Sequence, residues 1–96
     1  MSHASATRTV KVLNSSGLHA RPSLAVAQAV RRSQSKVEVR TERQRIDAGD
    51  ILQLLSLGAT PGTELTFTAT GPDAEQVLDE LVKMFTEQFG LCGEAD

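Results

Sequence analysis

Apolar and polar positions change rhythm several times along the chain, and each rhythm predicts an element. Residues 7–13, TRTVKVL, alternate, with Val10 and Val12 on one face and Lys11 on the other, which predicts a strand. Residues 14–17, NSSG, are turn formers. From Ala20 to Arg32 the period lengthens to that of a helix, with Ser23, Val26, Ala27 and Val30 on one face and Leu24 off it. Pro22 does not oppose this, because a first-turn residue has no intrahelical use for its N–H. Arg31 and Arg32 fall in the last turn, where positive charge suits the helix dipole.

Alternation returns at residues 36–41, KVEVRT, with Val37 and Val39 inward, and a short strand near Arg45–Ala48 is expected to pair back on it. The compact run 51–57, ILQLLSL, fits either a buried strand or a short helix. Asp50 as a cap and Gly58 as a stop favour the helix, and so short an element must leave some of its leucines exposed. After a turn at 59–62, residues 63–70 alternate without a break, Leu65, Phe67 and Ala69 against Glu64, Thr66, Thr68 and Thr70. A long helix is predicted from Asp73 to Phe89, with Asp73 and Gln76 spaced as a capping box, Gly90 as its C-cap, and Val77, Leu78, Leu81, Val82, Phe85 and Phe89 as its apolar stripe. Strands with one apolar face, interleaved with helices, imply a sheet covered on one side.

The 96 residues, 40% of them hydrophobic, suffice for one small domain with a modest core and three Phe as its only aromatics. A single cysteine, Cys92, excludes an internal disulfide, and with only two histidines no Cys-rich zinc site is available; no metal or cofactor is expected. The polar start MSHASATRT carries neither a signal peptide nor a membrane span, so a cytoplasmic protein without membrane insertion is expected. Charge is divided: residues 1–45 carry nine basic and two acidic side chains, +7, while residues 46–96 carry one Lys and ten acids, −9. The arginines are not interleaved with aromatics, and nucleic-acid binding is not expected.

The chemistry gathers in Asn14–Ser23. His19 lies between a glycine-containing turn and the start of the first predicted helix, at or beside its N-cap. First-turn N–H groups, such as that of Ala20, have no backbone partner and would meet an anion carried on the imidazole. Arg21 adds a planar cation that grips phosphate oxygens, and Pro22 shapes the turn without using a donor. Together these residues suit a nucleophilic imidazole that accepts a phosphoryl group. They suit simple anion binding, or an ordinary surface cap, as well. Ser23 could help order the first turn or be partly buried. Ser15 and Ser16 flank the site, while His3 and Cys92 are given no role.

The segment Gly17-Leu-His-Ala-Arg-Pro22 resembles the phosphorylation-site signature of the histidine-containing phosphocarrier protein HPr family of the bacterial phosphotransferase system. Ile51-Leu-Gln-Leu-Leu-Ser-Leu-Gly58, Pro61-Gly-Thr-Glu-Leu65 and the long last helix resemble that family's serine-site region and the segments C-terminal to it, so that the likeness covers about residues 7–89. It implies an open-faced β-sandwich of the α+β class, a four-stranded antiparallel sheet covered on one side by three helices. It implies a domain over 7–89 between a flexible tail at 1–6 and a C-terminal tail at 90–96. It implies that His19, through the ring nitrogen nearer the backbone, takes phosphate from enzyme I and passes it to an enzyme IIA domain, a covalent carrier and not an enzyme. Arg21 matches the family's arginine and Pro22 its proline. Leu24, Leu52 and Leu55 would be docking residues.

One position departs from the family pattern. Where many members carry a serine phosphorylated by a regulatory kinase, this chain has Asp50, either simply a helix cap or a permanent charge resembling phosphoserine. Two other functions remain open on the sequence alone: a regulatory protein-binding module of the same fold, and a nitrogen-type branch of the same phosphotransfer chemistry.

Overall fold

The computed structural model describes residues 5–13 and 17–90. Residues 14–16 of the expected turn, with Ser15 and Ser16, together with His3 and Cys92, lie outside the described residues. Four strands, β1 (Ser5–Lys11), β2 (Lys36–Arg40), β3 (Arg45–Asp47) and β4 (Glu64–Thr70), form one sheet in the order β1-β4-β2-β3. Every neighbouring pair is antiparallel. β1 and β2 both run against β4, so they are parallel to each other with the last strand of the sequence inserted between them. Helices α1 (Ala20–Arg32), α2 (Ile51–Ser56) and α3 (Ala74–Thr86) accompany the sheet, and a 3-10 turn at Gln88–Gly90 comes after α3. The helices cover one side of the sheet, as the alternation of the strands requires.

The core is built from the faces that the sequence marks. Val10 and Val12, Val37 and Val39, and Leu65, Phe67 and Ala69 are buried from the sheet side, and Val26, Ala27, Ala29 and Val30 of α1 meet Val77, Leu78, Leu81 and Phe85 of α3 in the same cluster. The other sheet face is polar. Cross-strand hydroxyl pairs Thr7–Thr68 and Thr9–Thr66 approach to 3.4 and 3.1 Å. Beside them Arg45 Nε pairs with Glu38 at 3.4 Å, an exposed contact of small energetic weight.

Most element ends fall within a residue of expectation; the larger differences, at β1 and at the two ends of α3, each have a local reason. β1 begins at Ser5 and ends at Lys11, because its register with β4 runs from Ser5–Thr70 to Lys11–Glu64. The Asp73–Gln76 capping box does not form. The Asp73 carboxylate turns away from the helix and accepts from the Gln34 N–H at 3.0 Å and the Ser35 hydroxyl at 2.5 Å, tying the entrance of β2 to that of α3. Finally, α3 stops at Thr86 with Glu87 as its C-cap, not at Gly90. Gln88 and Phe89 adopt positive φ of 52° and 57°, which ends the helix. Phe89 nevertheless keeps its place in the apolar stripe, edge-on to Phe85 with ring centroids 4.8 Å apart.

Candidate functional site

His19 is the N-cap of α1, with extended backbone (φ −90°, ψ −162°) and no side-chain capping bond. Its imidazole is thus not the cap of the helix. The first N–H used inside the helix is that of Ser23, which donates to the His19 carbonyl at 2.9 Å. The N–H groups of Ala20 and Arg21 precede it and have no intrahelical acceptor, and Pro22 has no N–H at all. The helix therefore begins with two N–H groups it does not use, and with the positive end of its dipole, next to the residue that carries the imidazole. His19 is partly exposed, with Nε2 turned out of solvent. Arg21 is exposed, and its guanidinium forms no ion pair among the described residues. Pro22 and Ser23 are fully buried, whereas the sequence left Ser23 open between ordering the first turn and partial burial.

The loop ahead of His19 is fixed from below. Leu18 is buried, and its N–H donates to the Ala59 carbonyl at 2.9 Å. Gly17 has φ +71°, and a Cβ there would lie 2.4 Å from the Ala59 oxygen. Only glycine satisfies both the left-handed backbone and this close approach. The turn after α2 is thus the floor of the histidine loop.

α2 packs against α1. Asp50 is its N-cap, accepting from the N–H of Leu52 at 3.0 Å and of Gln53 at 3.3 Å. The Gln53 side-chain amide donates to the other Asp50 oxygen at 3.0 Å, and its carbonyl oxygen accepts the Asp47 N–H at 3.2 Å. These bonds, led by the Gln53 side chain and helped by the Arg31 cation, hold the Asp50 carboxyl below its ordinary range. Arg31 itself donates to the Gly49 carbonyl at 2.7 Å. Gly58, at φ +62°, ends the helix as expected. Among the leucines, Leu54 is buried, while Leu52 and Leu55 are exposed on α2 and Leu24 on α1. Gln53 was missed in the sequence, although its i, i+3 spacing from Asp50 is that of a capping box. Leu13 is exposed as well, on the Lys11 side of the alternation. No group of three or more His, Cys, Asp or Glu among the described residues could hold a metal ion.

A histidine at a helix start with free first-turn donors is a local arrangement that many folds could carry, so the comparison with known proteins decides the family. A family model described as the phosphotransferase-system HPr component phosphorylation site matches residues 6–87. The chain belongs to the HPr family. Within it, the phosphocarrier protein HPr of Treponema pallidum is 34% identical over 82 residues, 85% of this chain and 93% of that one. The phosphocarrier protein NPr of Escherichia coli K12 is 29% identical over 83 residues, 85% of this chain and 92% of that one. The HPr-C-His structure from Thermoanaerobacter tengcongensis superposes with a TM-score of 0.85 at 29% identity, covering 88% of this chain and 96% of the other. HPr proteins are phosphocarriers of the phosphotransferase system and not enzymes. No helix among the described residues is long and apolar enough to cross a membrane.

Proposed function

We propose that this HPr-family chain takes a phosphoryl group from the phosphohistidine of enzyme I onto His19 and passes it to an enzyme IIA domain. The observation that supports this reading is a histidine set as the N-cap of α1, directly ahead of first-turn N–H groups that the helix does not use. Nδ1 is the attacking nitrogen, since Nε2 is turned out of solvent. Its lone pair forms the new N–P bond as the donor's N–P bond breaks, and the donor imidazole leaves with the electron pair. The N–H groups of Ala20 and Arg21 and the dipole of α1 take the phosphoryl oxygens, and the Arg21 guanidinium balances charge as the group moves between two rings. Pro22 keeps the turn rigid.

Docking comes first. Leu24, Leu52 and Leu55 give the partner apolar area to cover, and each surrenders water-exposed surface on contact. Asp50 occupies the position at which the family resemblance implies a regulatory serine, so a serine kinase finds no hydroxyl there. Its bonds make it a helix cap in the first place. Regulatory proteins that read this face, and a nitrogen-type acceptor, are the alternatives.

Incubation with phosphoenolpyruvate and enzyme I, with phosphate followed on the chain, tests the proposal. The adduct should be acid-labile and base-stable, and His19→Ala should remain folded and unlabelled. Labelling of that variant, or an acid-stable adduct on the wild type, refutes the assignment.

A further inference from the structure

Ser23 is the one buried polar side chain among the described residues, with none of its surface exposed. An apolar residue would serve the core at least as well, so the hydroxyl calls for a partner worth its desolvation. That partner is the Leu18 carbonyl, to which Ser23 Oγ donates at 3.2 Å. The Ser23 N–H donates to the His19 carbonyl at 2.9 Å. One residue thus holds the carbonyl before His19 and the carbonyl of His19 itself. The two bonds differ in kind. Any residue but proline would supply the backbone bond, while the side-chain bond exists only because position 23 is a serine. A helical serine ordinarily returns its hydroxyl to a carbonyl three or four residues back, inside the helix. Here it reaches five back, past the helix start, to a carbonyl the helix does not use.

We infer that Ser23 is a positioning residue for His19, its hydroxyl fixing the plane of the Leu18–His19 peptide and so the direction in which the imidazole leaves the backbone. The other side of that segment is already pinned, by Leu18 N–H on Ala59 and His19 N–H on the Gly17 carbonyl at 3.0 Å. Without the hydroxyl the Leu18–His19 peptide is held at its N–H end alone, so its carbonyl end can tilt and carry the ring with it. Transfer between two imidazoles needs the donor nitrogen, phosphorus and acceptor nitrogen nearly in line, and a displacement of about 1 Å is worth roughly a hundredfold in rate. Ser23 touches neither phosphorus nor imidazole, and acts only through the backbone. The inference rests on the carrier reading above for its kinetic consequence, but not for its structural one.

Ser23→Ala removes one oxygen from the core. Val82→Ala, half-buried on α3, serves as a control for a general loss of stability. Rapid-quench transfer from phosphorylated enzyme I gives the plateau rate and the half-saturation concentration separately. In parallel, ¹⁵N-resolved NMR tracks the His19 imidazole and amide in the unphosphorylated chain. Ser23→Ala should lower the plateau about tenfold, leave half-saturation within twofold, and shift or broaden the His19 signals, while Val82→Ala changes none of the three. Wild-type plateau and wild-type His19 signals in Ser23→Ala overturn the inference. So does an equal loss of plateau in both variants, which makes the effect one of stability. If the wild type accepts no phosphate, the carrier reading fails, and the His19 signals of Ser23→Ala still decide whether the hydroxyl positions the ring.

Discussion

The leucines around α1 and α2 are exposed to different degrees, and that gradation fixes what truncating each should do. Leu52 has 74% of its surface in water, Leu24 46%, Leu55 38% and Leu54 none. Full burial of a leucine side chain is worth about 1.5–3 kcal/mol, so covering the part of Leu52 that is still wet can contribute at most about 1.1–2.2 kcal/mol to docking. The corresponding ceilings are about 0.7–1.4 kcal/mol for Leu24 and about 0.6–1.1 kcal/mol for Leu55. At about 1.4 kcal/mol per factor of ten, Leu52→Ala should raise the half-saturation concentration for enzyme I by up to about 40-fold and Leu55→Ala by up to about 6-fold. Neither should alter the plateau rate, and neither should much lower the denaturation midpoint, because little of what is removed was buried by folding. Leu54→Ala should do the opposite, destabilising the fold by about 2–5 kcal/mol through a core cavity while leaving half-saturation unchanged in the molecules that remain folded. Urea denaturation read alongside rapid-quench transfer separates the two effects. A Leu52→Ala that unfolds early while docking normally would refute the placement of this side chain at the interface. A ranking with Leu55 above Leu52 would refute the use of free exposure as the measure of docking area.

Arg21→Ala should slow the plateau rate of transfer and leave half-saturation nearly unchanged, and a normal plateau would remove the arginine from the transfer step. The carboxyls of Asp50 and Asp73 are both held low, the first chiefly by the Gln53 side chain and the second chiefly by the Ser35 hydroxyl. A lowered folded value adds stability that is present above the unfolded value, near 3.8, and is lost as pH falls below it. Asp50→Ala and Asp73→Ala should therefore melt lower than wild type at pH 7, with a gap that narrows on going from pH 4 towards pH 2; a gap independent of pH would contradict this. Gly17→Ala should destabilise by at least about 1–2 kcal/mol from the left-handed backbone alone and slow transfer by displacing the histidine loop, measured by thermal melting and single-turnover transfer. Gln88→Gly, relieving a positive φ, should stabilise by about 0.5 kcal/mol, seen as a raised denaturation midpoint.

What the sequence made legible was whatever one face of one element decides. β4 alternates because one face meets the helices and the other meets water, so Leu65, Phe67 and Ala69 could be read as core. His19, Arg21 and Pro22 could be placed at the start of α1 because a helix start depends on residues adjacent in sequence. What escaped depends on contacts across the fold. Asp73 and Gln76 had the spacing of a capping box, yet Ser35 and Gln34, 38 and 39 residues away, supply better partners for that carboxylate. The same spacing at Asp50 and Gln53 went unread although side chains do join there, in altered form: the Asp50 N–H is already given to the Asp47 carbonyl at 3.2 Å, so Gln53 bonds the carboxylate. The apolar stripe of α3 ran on to Phe89 because periodicity reports burial, and a left-handed turn buries that ring as a further helical turn would have done. Ser23 looked like one polar position on an apolar face, and only the fold shows which carbonyl it reaches.

The place of β4 in the sheet bears on how the chain is made. By the time a ribosome has added residue 62, it has produced three strands and two helices, and the only strand pair available is the three-residue pairing of β2 with β3. β1 and β2 have no hydrogen bonds to each other; each waits for the strand that will lie between them. Emergence of residues 64–70 supplies both ladders within about a second or two at ordinary synthesis rates, with α3 close behind to close the core. Until then Val10 has no strand to pair with, and Val37 and Val39 have only the short pairing with β3. The sheet can therefore be completed only after β4 has been made, and the apolar faces of β1 and β2 stay open to proteases and chaperones until then.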